Sequence, residues 1–163
     1  MKKAVLISGI PGSGKSTFGR WLEREHQFLH VDMEHEGLDR HQLRKSWEAY
    51  HSDSDRVGFL DAIARLGSPV VLDWGFPTSC LSVVSRMKSD GFQMCWFDAD
   101  RLAARHLFQK RGTVTVSNFD MQFGRILERW SEIAPVFDGS ILRVVLPDGS
   151  RLSNEVIYRS IIE

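Results

Sequence analysis

Nine consecutive residues, Gly9-Ile10-Pro11-Gly12-Ser13-Gly14-Lys15-Ser16-Thr17, combine glycines, one lysine and hydroxyls at a spacing suited to holding phosphate. Glycines let the backbone turn tightly and line up N–H groups around a concave anion site. Lys15 is placed to reach the outer phosphates of a polyphosphate, and the Ser16 hydroxyl is a candidate Mg²⁺ ligand. Gly9, Gly14, Lys15 and Ser16 match the Walker A spacing at every fixed position. The run also follows an apolar stretch, 4–8, that reads as a strand, and it precedes a helical pattern. That helix would add the positive end of its dipole to the same spot. A flexible Gly/Ser connector is the plain alternative, but it has no need of this flanking order. The expected ligands are ATP and Mg²⁺.

Acids at three expected strand ends could complete the chemistry. Asp73 follows Val70-Val71-Leu72, the Walker B pattern, in which a buried strand sets a carboxylate to hold the metal beside Ser16. A capping or loop aspartate is the alternative. Asp32 and Glu34 follow the next apolar run, two residues apart, so they converge only if the chain turns there. One could orient Mg²⁺ while the other accepts the proton of an attacking hydroxyl. Asp98 and Asp100 read as a strand-end turn and a helix cap.

A basic cluster lies after the fourth strand: Arg101, Arg105, His106, Lys110 and Arg111, then Gly112-Thr113. An arginine fork suits phosphate oxygens bidentately. Arg111, at the end of the helical pattern, is the expected closing residue, with Arg105 a second contact on the nucleotide side. Cations at a helix C-terminus are also favoured structurally, which is the competing account. Arg40, Arg44 and Trp47 share a helix face, either as charge and stacking surface for an acceptor or as a solvated face with Trp47 in the core.

These residues need a frame that gathers strand ends. Strands are expected at 4–8, 28–31, 70–73, 93–97 and 142–146. Helices are expected after the glycine loop and at 38–50, 55–66, 79–88, 101–110, 120–133 and 153–162. Strands alternating with helices, several of them continuously apolar, imply an α/β three-layer sandwich. Its five-stranded parallel sheet would carry helices on both faces and a ligand crevice at the carboxyl ends of the strands. A chain of 163 residues suits a single domain over 1–163, with 38–66 on the acceptor side and 101–118 as a lid. Zero formal net charge supplies no global attraction for nucleic acid. Cys80 and Cys95 fit no metal spacing and read as small buried residues. The apolar stretch after Met1-Lys2-Lys3 is too short for a signal h-region or a membrane span, so a cytoplasmic location and no membrane partner are expected.

Taken together, Gly9–Thr17, Asp32-x-Glu34, Asp73 and Arg111-Gly112-Thr113 resemble the small P-loop kinases, a group that includes shikimate kinase, gluconate kinase, zeta toxins and polynucleotide 5′-kinase domains. The resemblance implies transfer of the γ-phosphoryl of ATP to a hydroxyl of a small molecule or a nucleic-acid end. By similarity to the Asp-x-Asp of shikimate kinase, Asp32 would be metal-side and Glu34 substrate-side. Polynucleotide kinases use one such carboxylate to activate the hydroxyl, a role open to Glu34 or Asp32. The lid likeness points to Arg111, and the loop Pro147-Asp148-Gly149 would border adenine. Asp73-Trp74-Gly75-Phe76-Pro77-Thr78 is similar to an adenylate kinase stretch, but with an inserted Trp and no arginine. A nucleotide-binding or NTP-hydrolysing switch without a dedicated acceptor is the competing class; it has no need of Asp32 and Glu34.

Overall fold

A computed structural model describes residues 3–110, 112 and 115–161. The chain begins with β1 (Ala4–Gly9), whose six residues are all buried, and passes through the glycine loop into α1 (Lys15–His26). There follow β2 (Leu29–Asp32), α2 (Gly37–Arg40), α3 (Arg44–His51), α4 (Arg56–Arg65) and β3 (Val70–Asp73). After α5 (Leu81–Ser89) come β4 (Gln93–Ala99), α6 (Arg101–Lys110), α7 (Val116–Glu128), α8 (Trp130–Ile133), β5 (Ile141–Val145) and α9 (Asn154–Ile161).

The strands form one parallel sheet in the order β2-β3-β1-β4-β5. Every residue of β1 and β3 is buried, as it must be when both faces of a parallel sheet are covered. The expected architecture of five parallel strands with helices is therefore the one observed. Connections leave β1 toward β2 and β3 on one side and β4 on the other, so the crevice opens at its carboxyl end. Register brings Asp32 opposite Asp73, Ile7 opposite Asp73, and Gly9 opposite Phe97. Three chain segments thus present their functional residues on one rim.

The expected helix over 38–50 is two helices. Gln42 takes a left-handed backbone (φ 57°), and the Leu43 N–H donates to the Leu38 carbonyl at 2.7 Å while that of Gln42 donates to Asp39 at 3.0 Å. This is the Schellman pattern, sealed by burial of both Leu38 and Leu43. Beyond it, Trp47 packs among Tyr50, Phe59 and Trp74 at ring-centre distances of 5.1–5.9 Å. Trp47 therefore belongs to the core, while Arg40 pairs with Glu23 and Arg44 with Asp39 at the surface. The helix expected over 120–133 starts earlier, at Val116, and is interrupted where Arg129 leaves helical geometry. A short 3-10 turn, Thr78–Cys80, precedes α5, and Cys80 is half-buried rather than buried. Among the described residues, no helix is long and apolar enough to cross a membrane.

Candidate active site

A cleft of about 890 Å³ opens at the carboxyl rim of the sheet. Gly9, Pro11, Gly12, Lys15 and Ser16 line one end, Asp32, Glu34 and Asp73 its floor, and Phe76, Trp96 and Arg125 its far wall. The loop bends where Gly12 (φ 80°) and Gly14 (φ 89°) adopt left-handed geometry, which side chains with a Cβ rarely take. Lys15 Nζ donates to the Gly9 and Ile10 carbonyls at 3.3 and 3.4 Å, curled over the loop it would serve. Ser13 is fully buried, and its hydroxyl has no hydrogen-bond partner among the described residues. Thr17, in the first turn of α1, faces solvent.

Asp73 is buried at the end of β3. Burial alone would raise its carboxyl, but His30, Lys15 and the Ser16 hydroxyl outweigh that and hold it below the usual carboxylate range. Its Oδ2 lies 3.5 Å from His30 Nε2, close enough to pair electrostatically, though among the described residues neither atom makes a hydrogen bond of good geometry. A buried carboxylate beside a serine hydroxyl is an all-oxygen donor pair that fits a hard divalent cation. Among the described residues, no three His, Cys, Asp or Glu side chains gather to hold a metal by themselves. An ion here would rest on Ser16, Asp73 and the oxygens of its nucleotide, as Mg²⁺ at such sites does.

The acids after β2 have separated tasks in the geometry. Asp32 Oδ1 accepts from the Glu34 and His35 N–H groups at 3.1 and 3.2 Å and from His35 Nδ1 at 3.0 Å. It thereby builds the turn that swings Glu34 toward the glycine loop, the convergence that two-residue spacing requires. The hydrogen bond to Asp32 raises the pKa of His35. Glu34 reaches over Gly75 at the cleft floor, where a Cβ on that glycine would lie 3.2 Å from Oε1. Enclosure by the cleft walls raises its carboxyl pKa; Lys15 opposes the rise, and Asp73 and Asp32 reinforce it.

Other expected residues stand elsewhere. Arg105 is clamped to Asp120, Nε to Oδ1 and Nη2 to Oδ2 both at 3.0 Å, and does not line the cleft. Arg111 lies outside the described residues. The pair α3–α4 contributes no lining residue; that side of the cleft ends at Glu34 and His35. Asp100 caps α6 through the Ala103 N–H, and Asp98 pairs with Arg143.

Sequence reasoning missed Arg125 and Gln122 of α7, which line the cleft opposite the acids. No acidic side chain pairs with Arg125 among the described residues, unlike Arg40, Arg44, Arg56 and Arg105. A cation lining a cleft with no acidic partner is the signal, and only the folded chain displays it.

No protein-family model and no curated protein matches this chain. Solved structures do. A gluconokinase from Sinorhizobium meliloti 1021 superposes with a TM-score of 0.51 and 17% identity, over 98% of this chain and 89% of its own. A shikimate kinase from Bacteroides thetaiotaomicron gives a TM-score of 0.58 at 11% identity, over 98% and 94%. Each superposition spans nearly the whole of both chains: this chain has the P-loop kinase fold of these two structures.

Proposed function

We propose that this protein is an ATP-dependent phosphotransferase that moves the γ-phosphoryl group to a hydroxyl of a small molecule. One observation carries the reading: the glycine loop with Lys15, the Ser16–Asp73 pair and Glu34 all open onto one cleft. A nucleotide-only switch needs the first two groups, but not a further carboxylate lining the same cleft.

Phosphoryl transfer asks little covalent chemistry of a protein and much positioning and charge. The loop amides and Lys15 would grip the β- and γ-phosphates. Ser16 and Asp73 would hold Mg²⁺, which when bound neutralises charge on those phosphates. Glu34 would orient the acceptor hydroxyl and take its proton, with Asp32 fixing the turn that aims it. Arg125 would contact the acceptor from the opposite wall, and Arg111 would close the lid over the transferring group. Neutral overall charge lends no support to a nucleic-acid end as acceptor.

The test is a screen of alcohol acceptors with γ-labelled ATP and Mg²⁺, including sugars, hydroxy acids, nucleosides and 5′-hydroxyl oligonucleotides. Label moving to one class is the expected result. Hydrolysis that no acceptor diverts supports the switch instead, and failure to bind ATP removes both.

A further inference from the structure

The segment after β5 brings an arginine onto the phosphate loop from the far end of the chain. The Leu146 N–H donates to the Ser150 carbonyl at 2.9 Å, and that of Leu152 donates to Val144 at 3.0 Å. Asp148 Oδ1 accepts from the Ser150 N–H, tightening the turn, and Arg151 bridges antiparallel to Val145. This hairpin aims Arg151 at the loop, where Nη2 donates to the Ser13 carbonyl at 2.9 Å. The guanidinium lies flat against Gly14: a Cβ there would meet Nη2 at 2.0 Å and Cζ at 2.3 Å.

Gly14 is the N-cap of α1, so Arg151 places a full positive charge where the helix already presents its positive end. A cation at that position is unfavourable for the helix itself. It does raise the positive potential over the loop amides, and attraction to an anion grows with the anion's charge. The carbonyl hydrogen bond meanwhile holds the Ser13–Gly14 peptide, whose orientation sets where the following N–H groups point.

We propose that Arg151 is a positioning residue of the nucleotide site, bracing the phosphate loop through Ser13 and adding its charge to the α1 N-terminus, so that the loop favours the multiply charged polyphosphate of ATP over a monophosphate. This rests on the reading of the loop as an ATP site.

The experiment is calorimetric titration of ATP and of AMP, at low and high salt, into wild type, Arg151→Gln and Arg151→Lys. Glutamine removes the charge and, being two bonds shorter, also releases the Ser13 carbonyl; lysine retains the charge. Expected are a roughly tenfold weaker ATP Kd and a flatter salt dependence for Arg151→Gln, with AMP little changed and most ATP affinity kept in Arg151→Lys. A folded Arg151→Gln protein with wild-type ATP affinity and salt dependence overturns the proposal. Should that variant fail to fold, the lysine variant decides: loss of ATP and AMP binding in equal measure marks a structural strut and overturns it too. If wild type itself binds no ATP, the nucleotide reading falls and takes this inference with it, whereas a failure confined to the variants leaves that reading standing.

Discussion

His30 Nε2 stands 3.5 Å from Asp73 Oδ2, with both side chains buried against α1. The imidazole fits there because position 19 of the helix carries no side chain: a Cβ on Gly19 would lie 2.3 Å from His30 Cδ2 and 2.5 Å from Nε2. A helix-interior glycine thus makes room for the group that backs the buried Asp73 carboxylate.

Replacing Gly19 by alanine in an exposed helix would stabilise it by about 1 kcal/mol. Here the sign reverses. Overpacking against His30 should cost about 1–3 kcal/mol and raise the Mg²⁺ concentration needed for activity. Thermal or urea unfolding together with a Mg²⁺ titration checks both effects.

Asp73→Asn keeps the shape of the side chain but removes the charge that a divalent ion would need. Half-saturation by Mg²⁺ should rise about 10- to 100-fold, the range seen when support of a metal site is lost. Titrating turnover against Mg²⁺ measures it; unchanged dependence would sink the assignment of Asp73.

Glu34→Gln should lower kcat about 10²- to 10⁴-fold, the usual worth of a general base, with ATP affinity nearly unchanged. Because enclosure raises the Glu34 pKa above 4.5, the base form appears later, and the acid limb of the pH–rate profile shifts upward with it. The linkage to stability has a definite sign. The fold favours the protonated carboxyl, so its contribution is fully present below pH 4.5 and is lost as pH rises through the raised value. Glu34→Gln should therefore melt higher than wild type at neutral pH, with the gap closing in acid.

How much of this was legible in the chain follows from how local each feature is. The phosphate loop is written in nine contiguous residues, and the continuous apolar runs declare buried parallel strands. Asp73 and Asp32 were readable because each ends such a run. Gln42 was not: its left-handed turn ends a helix without the glycine that normally announces one, and the Leu38–Leu43 contact that fixes it is tertiary. Arg125 and Arg151 were hidden for a related reason. Their sequence neighbourhoods are ordinary, and only the return of α7 and the closing hairpin brings them to the site, the latter across 138 positions.

Arg125→Ala should raise KM for the acceptor about 10- to 100-fold, the equivalent of one charged hydrogen bond, while leaving KM for ATP in place. Lys15→Ala should do something different, cutting turnover about 10²-fold or more by removing a preorganised charge at the phosphates. Steady-state kinetics on both substrates separates the two walls of the cleft. Equal effects of both variants on ATP alone would remove Arg125 from the acceptor side.

The strand that leads into the glycine loop is the middle one of five, hydrogen-bonded to β3 along one edge and β4 along the other. Its amides alternate between the two flanks, so the strand as a whole meets solvent only when neighbours on both let go, and its deuterium uptake should track complete unfolding rather than local opening. The root of the phosphate grip and the integrity of the whole molecule are thus lost together, and a chain whose loop is rooted is a chain that has folded.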